Sequence, residues 1–378
     1  MSIVLLDDCG SKFQPISYTT PTPFLITGGL RLVEHWMIRL RSSIGLYLYM
    51  SKEESLIHVR RNRLLINKFL NYALRLEEEQ PSIAVSACVL PTSSAVNKVM
   101  DYVKLGVKVT CGERILVYGP GEIVEDCSLQ AINGMWDLIK FNVDLLRETI
   151  QLLGKGDVVT IGSRIHSGLY LDTRNGPVAI IGSDLGDAIS IKGPALIGPE
   201  SEVQSFTVIR PGSVIYMQNT VGGEVKNSIM DRESRKPHHG YLGDSYVGKW
   251  INLGAGTSVS NLKNTLGPVR YMGHDTGMNK LGPVIGDWVR SGINTSIMTG
   301  KAIGPGSQVY GIVTSDIPPF IFYKNYGEPV MSIADRNKMI DIIRRATRDD
   351  EDEAALAALI YESTSELRRG IKQIQFRL

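Results

Sequence analysis

The amino-acid sequence predicts an α/β domain with a mostly parallel sheet, then a parallel β-helix of hexapeptide repeats, then C-terminal helices. Three patterns support this fold class. Strand-like and helical segments alternate at the start of the chain, and branched aliphatic residues recur at every sixth position further on. Apolar residues at helical spacing follow in the C-terminal part. We expect the three parts to span residues 1–155, 156–325 and 326–378. At 378 residues the chain is long enough for more than one core.

The first domain is predicted from two alternating kinds of segment. Apolar runs rich in β-branched and aromatic residues predict strands at 3–6, 45–49, 83–90 and 114–118. Apolar positions three and four residues apart predict helices at 30–41, 55–75, 95–105 and 138–153. This alternation favours an α/β layer.

The second domain is predicted from the six-residue period. That period fits neither an amphipathic helix nor a hairpin sheet, and it is typical of a solenoid in which each repeat is one short strand and one turn. Each strand sends one branched side chain to a narrow axis, and a following glycine permits the corner. The repeating positions are Ile197, Val203, Ile209, Ile215 and Val221, then Val247, Leu253 and Val259, then Ile285, Ile297, Ile303 and Val309, with Ser291 as an interruption.

The period slips twice, between Val221 and Val247 and between Val259 and Ile285, each time over 26 residues. The first segment carries many charges and two adjacent histidines, which we expect in a loop or on the outside because an apolar axis cannot accept them. The second is interpreted either as a lid or subunit contact or as a mere surface excursion. Solenoid proteins carry their sites on exposed faces and insertions, so the slips are the candidate site.

The C-terminal part is predicted to form two helices. Ser332 and Asp335 resemble a capping box at the start of the first helix. The acidic run 349–353 is interpreted as the solvated start of the second. The apolar stripes of the two helices are Met339, Ile342, Ile343 and Ala346, and Leu356, Leu359, Ile360 and Leu367.

Composition indicates a soluble, cytoplasmic enzyme. The net charge of +2 gives no reason to expect nucleic acid or an anionic membrane as a partner. There is no basic leader and no apolar run long enough to cross a membrane. The four cysteines include no Cys-x-x-Cys pair, which favours reduced thiols over a disulfide framework or a zinc site.

Several unlike motifs occur in order around the first slip: GGEVKN at 222–227, KPHHGYLGD at 236–244, NLGAGT at 252–257 and SNLKN at 260–264. Together they resemble the acetyltransferase half of the bifunctional enzymes that make UDP-N-acetylglucosamine, within a bacterial and archaeal branch of sugar nucleotidyltransferases. The resemblance covers most of residues 157–325. It implies a left-handed β-helix that assembles as a homotrimer, with the active site between neighbouring subunits.

The implied reaction is acetyl transfer from acetyl-CoA to the amine of an amino-sugar 1-phosphate of the glucosamine 1-phosphate type. An ammonium is not nucleophilic, so a base with a pKa near 7 must take its proton. The resemblance assigns this catalytic role to His238, with His239 as the second candidate. A metal site built from both and His274 is disfavoured, because adjacent residues of a strand point to opposite faces.

The substrate-binding residues that the resemblance implies are Arg210, Lys226, Tyr241, Asn252 and Asn261, and Lys263 is added as a nearby donor beside Leu262. The first two are cations, as a doubly charged phosphate requires. Leu262 stands where the family has tyrosine, which leaves the choice of amino sugar open. Acetyl-CoA would lie along the later coils, near residues 291–299 and Lys301, although no motif fixes single contacts.

The first domain resembles the family's nucleotidyltransferase domain in a degenerate form. The phosphate-binding loop after the first strand retains only Gly10, and the segment PTP at 21–23 replaces a proline-lysine pair. GPG at 119–121 stands where an aspartate would hold Mg²⁺. Mg²⁺ is expected only if nucleotidyl transfer is retained, through Lys12, Asp7 or Asp8. Two other functions therefore stay open: a sugar-1-phosphate nucleotidyltransferase, and a non-catalytic trimeric scaffold or regulatory subunit.

Overall fold

The computed structural model describes residues 2–9, 11–40, 45–49, 75–76 and 83–372. It confirms the predicted fold class: an α/β part comes first, a left-handed parallel β-helix follows, and helices lie at the C-terminal end.

The α/β part has a mixed, seven-stranded sheet. In spatial order its strands are Arg75–Leu76, Gly45–Tyr49, Ser2–Leu6, Ala84–Ser86, Arg114–Tyr118, Lys108–Cys111 and Ile123–Glu125. The first four are parallel, and Arg114–Tyr118 is antiparallel to both of its neighbours. Shorter elements are the hairpin Ile26–Thr27 with Leu30–Arg31 and the 3₁₀ turns Ser11–Phe13, Ile16–Tyr18 and Thr22–Phe24.

The described residues include four helices beside this sheet: α1 (Leu32–Arg39), α2 (Ser93–Leu105), α3 (Met135–Lys140) and α4 (Asn142–Leu153). Helix α2 shows why such segments begin and end where they do. The Thr92 hydroxyl accepts a hydrogen bond from the Ala95 amide at the start, and Gly106 ends the helix with a φ of 67°. The helix predicted at 55–75 falls outside the described residues, except for Arg75, which lies in a strand.

The expectation of reduced cysteines is wrong in this structure. Cys9 and Cys88 form a disulfide with their Cα atoms 5.8 Å apart, and Cys111 and Cys127 form a second with a Cα separation of 4.8 Å. The reason is topology. Cys9 and Cys88 each follow one of two paired parallel strands, so residues 79 positions apart in sequence meet at one sheet edge.

The solenoid winds through three parallel sheets. Sheet 1 contains Val158–Ile161, Val178–Ile181, Ala195–Ile197, Ser213–Ile215, Ile229–Met230, Tyr246–Val247, Val284–Ile285 and Ala302–Ile303. Sheet 2 contains Arg164–Ile165, Asp184–Leu185, Glu202–Val203, Thr220–Val221 and Arg235–Lys236, and single bridges through Asn252 connect it to Arg290–Ser291. Sheet 3 contains Tyr170–Asp172, Ser190–Lys192, Val208–Ile209, Glu224–Lys226 and Tyr241–Gly243, and the same face continues with Ser258–Val259, Ser296–Ile297 and the end of Gln308–Val313. The start of Gln308–Val313 pairs with Arg290–Ser291 and therefore continues sheet 2, followed by Ile321–Asn325 and the antiparallel Pro329–Ile333.

The predicted aliphatic positions fill the axis of the solenoid and are almost completely buried. The first slip, however, is not a loop. From Val221 to Val247 the inward positions advance in five steps of four to six residues, so that one coil is shortened. One of these inward positions is Lys236, which is only 2% exposed. The expectation that every charge of this segment lies outside is therefore wrong.

The second slip is a true insertion, and it contains the hairpin Arg270–Tyr271 with His274–Asp275. It packs against the α/β part: the rings of Tyr271 and His274 lie 6.1 and 5.8 Å from the Trp136 ring. The Tyr271 hydroxyl also donates to the Gln14 carbonyl at 2.6 Å. The insertion is thus tied to the rest of the chain rather than projecting freely.

The outer surface of sheet 1 is covered by the α/β part, and the two share one apolar core. Buried polar contacts cross the same surface. Arg31 contacts Asp231 at 2.8 Å, and the Tyr216 hydroxyl donates to Glu34 at 2.7 Å. Burial opposes ionisation of Asp231, but the charges of Arg31 and Lys249 hold its pKa down at about 2.

The C-terminal helices α5 (Arg336–Ala346) and α6 (Glu351–Ser363) pack beside Trp250, Trp288 and Phe320 of the solenoid. No helix in the described part of the chain is long and apolar enough to cross a membrane.

The details of these helices differ from the prediction. Asp335 alone caps α5 by accepting from the Lys338 amide, because Ser332 belongs to a strand. Leu359 and Leu367 are about half exposed. Glu353, expected in solvent, is buried, where it pairs with Arg232 at 3.0 Å.

Candidate functional site

The outer surface of sheet 3 brings together several of the predicted substrate-binding residues. The inward positions here are Val225 and Leu242, so their neighbours point outward by strand alternation. Glu224 is paired with Tyr241 across adjacent strands, and Lys226 is paired with Gly243. Arg210 lies one coil earlier on the same face, where its amide donates to the Val225 carbonyl. Residues distant in sequence thus form one polar surface.

Asp244 is the centre of this surface. Its carboxylate accepts hydrogen bonds from Lys226 Nζ at 3.1 Å, from Asn227 Nδ2 at 2.8 Å and from Asn261 Nδ2. The same Asn261 nitrogen is 3.1 Å from the Tyr241 hydroxyl. Asp244 ends the motif KPHHGYLGD, but the sequence predicts no role for it. The available signal was a negative charge in a motif next to the one that carries Lys226.

A second ion pair lies next to it, with Arg210 Nη1 at 2.8 Å from Glu224 Oε1. The hydrogen bond that Arg210 donates to Glu224 raises the pKa of the Arg210 guanidinium. Burial, and then the charge of Asp244, raise the pKa of Tyr241, so this phenol stays protonated while its oxygen accepts from Asn261. Two cations therefore face two carboxylates, and an anionic ligand of this surface would compete with carboxylates that are already in place.

His238 and His239 lie in the corner 237–240, which connects sheet 2 to sheet 3, and not in a strand. Both side chains are exposed. Neither ring has a hydrogen-bond partner within the described residues. The corner precedes Tyr241 directly, so it borders the polar surface of sheet 3.

The other two predicted residues are placed differently. Asn252 lies on sheet 2, bridged to Arg235 and Arg290, and thus on another face of the solenoid from Tyr241. Lys263 lies at the base of the insertion, where its Nζ donates to the Pro268 carbonyl at 3.0 Å. A single chain therefore assembles part of the predicted set and leaves Asn252 apart.

An open pocket of about 430 Å³ lies beside Lys263, between the insertion and the later coils of sheet 3. Lys263, Arg270 and Lys301 give it a cationic wall, and Met298 and Thr299 contribute to its floor. The charge and size of this pocket suit a phosphorylated ligand.

The acidic residues of the α/β part do not fit a magnesium site. Asp8 accepts hydrogen bonds from the hydroxyls of Ser86 at 2.7 Å and Tyr118 at 2.8 Å, one on each oxygen. Asp7 accepts from the Thr22 amide. Throughout the described ranges, no three histidine, cysteine or acidic side chains are placed to hold a metal ion.

Comparison with known proteins gives relatives of one kind. No family model matches the sequence. The chain is 36% identical over 164 residues to the bifunctional sugar-1-phosphate nucleotidylyltransferase/acetyltransferase of Sulfurisphaera tokodaii, a match to 36% of this chain and 41% of that protein. It is 27% identical over 262 residues to the bifunctional protein GlmU of Carboxydothermus hydrogenoformans, a match to 61% and 56% of the two chains.

The match thus spans less than two thirds of the length of these relatives. Among solved structures, the UDP-N-acetylglucosamine acyltransferase from Campylobacter jejuni aligns with 58% of this chain and 99% of its own, with a TM-score of 0.25 and 12% identity. A likeness at that level carries no argument about function. The resemblance seen in the motifs is nevertheless confirmed by sequence: the relatives of this chain are bifunctional sugar-1-phosphate nucleotidyltransferase/acetyltransferases.

Proposed function

We propose that this protein is an acetyl-CoA-dependent N-acetyltransferase that acts on an amino-sugar 1-phosphate of the glucosamine 1-phosphate type. The observation that carries the proposal is the polar surface of sheet 3. There Arg210, Lys226, Tyr241 and Asn261 converge beside the exposed His238 corner. The relative from Sulfurisphaera tokodaii, whose name includes acetyltransferase, supports the same reaction class.

The phosphate of the substrate would lie between Arg210 and Lys226. Guanidinium and ammonium groups bind phosphate through charge-assisted hydrogen bonds. Glu224 and Asp244 hold these cations in place before the ligand arrives. Asn261 and Tyr241 would then bind hydroxyl groups of the sugar.

His238 would act as the general base. Its imidazole takes a proton from the substrate ammonium, and the amine nitrogen attacks the carbonyl carbon of acetyl-CoA. A nitrogen–carbon bond forms, the nitrogen loses a second proton, and the carbon–sulfur bond of the thioester breaks. One of the two protons goes to the sulfur, so that coenzyme A leaves as a thiol, and the other is released to solvent. His239, in the same exposed corner, is the second candidate for this role.

We further propose a homotrimer with the site between subunits. Asn252 lies on a different face from Tyr241, so within an assembly the Asn252 of one copy would reach the site of another. Phe206 and Ile293, in the corner between sheets 2 and 3, are 78% and 69% exposed and would be covered in such an assembly. Acetyl-CoA would lie along residues 291–299, with the cationic pocket at Lys301 close to its phosphates.

The test is to incubate the purified protein with acetyl-CoA and glucosamine 1-phosphate and to follow the release of thiol. His238→Ala is expected to lower kcat by at least about a hundredfold, the usual contribution of a general base. His239→Ala is the matched control and is expected to retain most of the activity. No thiol release by the wild type, or release that is equal in His238→Ala, would contradict the proposal.

We do not propose nucleotidyl transfer, because Asp7 and Asp8 are engaged with donors and form no metal cluster with the other residues that the structure describes. Pyrophosphate release from a nucleoside triphosphate and a sugar 1-phosphate in the presence of Mg²⁺ would overturn this assignment. A non-catalytic scaffold would instead form stable trimers that fail to bind acetyl-CoA in calorimetry.

A further inference from the structure

Lys236 occupies a position in the axis of the solenoid that its neighbours fill with aliphatic side chains. Its strand pairs so that Lys236 lies over Val221, and Leu253 follows on the next coil of the same sheet. The side chain is 2% exposed. No carboxylate in the described part of the chain lies within 4 Å of its Nζ.

The ammonium instead contacts three backbone carbonyls. Lys236 Nζ donates to Gly222 at 2.7 Å, to Gly240 at 2.9 Å and to His238 at 3.2 Å. Two of these carbonyls belong to the corner 237–240, and the third belongs to the corner of the preceding coil. One buried cation thus joins two adjacent corners.

Besides this ammonium, backbone hydrogen bonds hold the corner, since the amides of Glu224 and Gly256 donate to the carbonyls of Gly240 and His239. A Cβ atom at Gly240 would lie 2.1 Å from the Thr257 carbonyl oxygen, and one at Gly222 would lie 2.2 Å from the Pro237 oxygen. The coils are therefore in backbone contact, with no room for side chains that could interlock. Burial lowers the pKa of Lys236 to about 8, which shows that the ammonium is placed here against a desolvation penalty.

We infer that Lys236 is a positioning residue that fixes the His238 corner by tying the carbonyls of Gly222, His238 and Gly240 to one ammonium. This inference rests on the proposed function only in assigning the general base to His238. The lysine itself is buried and does not touch the substrate. Its effect on the reaction is to keep the imidazole at the correct distance from the amine, and a displacement of about 1 Å there lowers the rate about a hundredfold.

The test compares Lys236→Met with Leu253→Met. The control introduces the same side chain at the next inward position of the same sheet, where no charge is lost. Lys236→Met is expected to lower kcat by about tenfold or more and to leave both KM values within about twofold. Leu253→Met is expected to leave kcat unchanged. Lys236→Gln keeps an N–H donor and is expected to recover part of the lost kcat.

Hydrogen exchange supplies a readout that does not depend on activity. The amides of Glu224 and Gly256 donate to the carbonyls of Gly240 and His239, so their exchange reports on the corner. Both are expected to exchange at least about tenfold faster in Lys236→Met, while amides in the first coils remain unchanged.

An unchanged kcat or unchanged exchange in Lys236→Met would overturn the inference. Loss of folding in both Lys236 variants would also overturn it, because the lysine would then be required by the solenoid as a whole. If the wild type transfers no acetyl group, the proposed function fails, and the exchange measurement alone decides the role of Lys236.

Discussion

Replacing Lys236 by methionine is expected to change how the stability of the protein depends on pH. In the folded protein, burial lowers the pKa of this lysine from 10.5 to about 8, against a weak opposing effect of Glu224. That difference corresponds to about 3 kcal/mol of penalty on the folded state whenever the lysine is charged in both states. The penalty is fully present below pH 8, and it disappears as the pH rises above 10.5, because the unfolded chain binds more protons in that window.

From pH 7 to pH 10, this one group should therefore raise the free energy of unfolding of the wild type by roughly 2.5 kcal/mol. Lys236→Met lacks the contribution, so the stability difference between the two proteins should shift by that amount over the same range. Urea unfolding of both proteins at equal concentration and at several pH values measures it, and other titrating groups cancel in the difference. A difference that stays constant with pH would show that the ammonium is not desolvated as the structure indicates.

Two further predictions concern the α/β part and its contact with the solenoid. Asp231→Ala removes the buried carboxylate that faces Arg31 and Lys249. It should lower the free energy of unfolding, measured with urea, by about 3–5 kcal/mol. A loss below about 1 kcal/mol would contradict the buried ion pair. Protein denatured without a reductant should show no reactive thiol in a colorimetric assay, whereas four thiols per chain would contradict both disulfides.

The solenoid was predictable because its constraint is local and repeats. Each coil places a side chain such as Ile209, Val247 or Ile303 at the same axis, so the pattern along the chain records the packing directly. The same rule explains the error at Lys236. In a six-residue pattern of aliphatic residues, a lysine is interpreted as a break. The fold nevertheless places Lys236 at an inward position, because its ammonium donates to three carbonyls.

The remaining errors involve partners that are distant in sequence. The sequence around Cys9 does not predict its disulfide with Cys88. Likewise, the acidic run does not predict that Glu353 forms an ion pair with Arg232. The candidate site was predictable where one motif carried several residues, as for Lys226 and its neighbours on sheet 3. The position of Asn252 relative to that surface was not predictable. The six-residue period identifies which residues point inward, but it does not show on which of the three sheets an outward residue lies.

The contacts between the α/β part and the solenoid give the former a role that requires no catalysis. Sheet 1 presents Val214, Tyr216 and Tyr246 on its outer surface, and all three are completely buried beneath the α/β part. The Tyr246 hydroxyl even accepts a hydrogen bond from the Ile26 amide at 3.0 Å, so the two parts share polar as well as apolar contacts. Without this cover the solenoid would expose a large apolar face, which is unfavourable in water. The α/β part, whose described residues form no metal cluster, is therefore still needed, because it covers the outer surface of sheet 1.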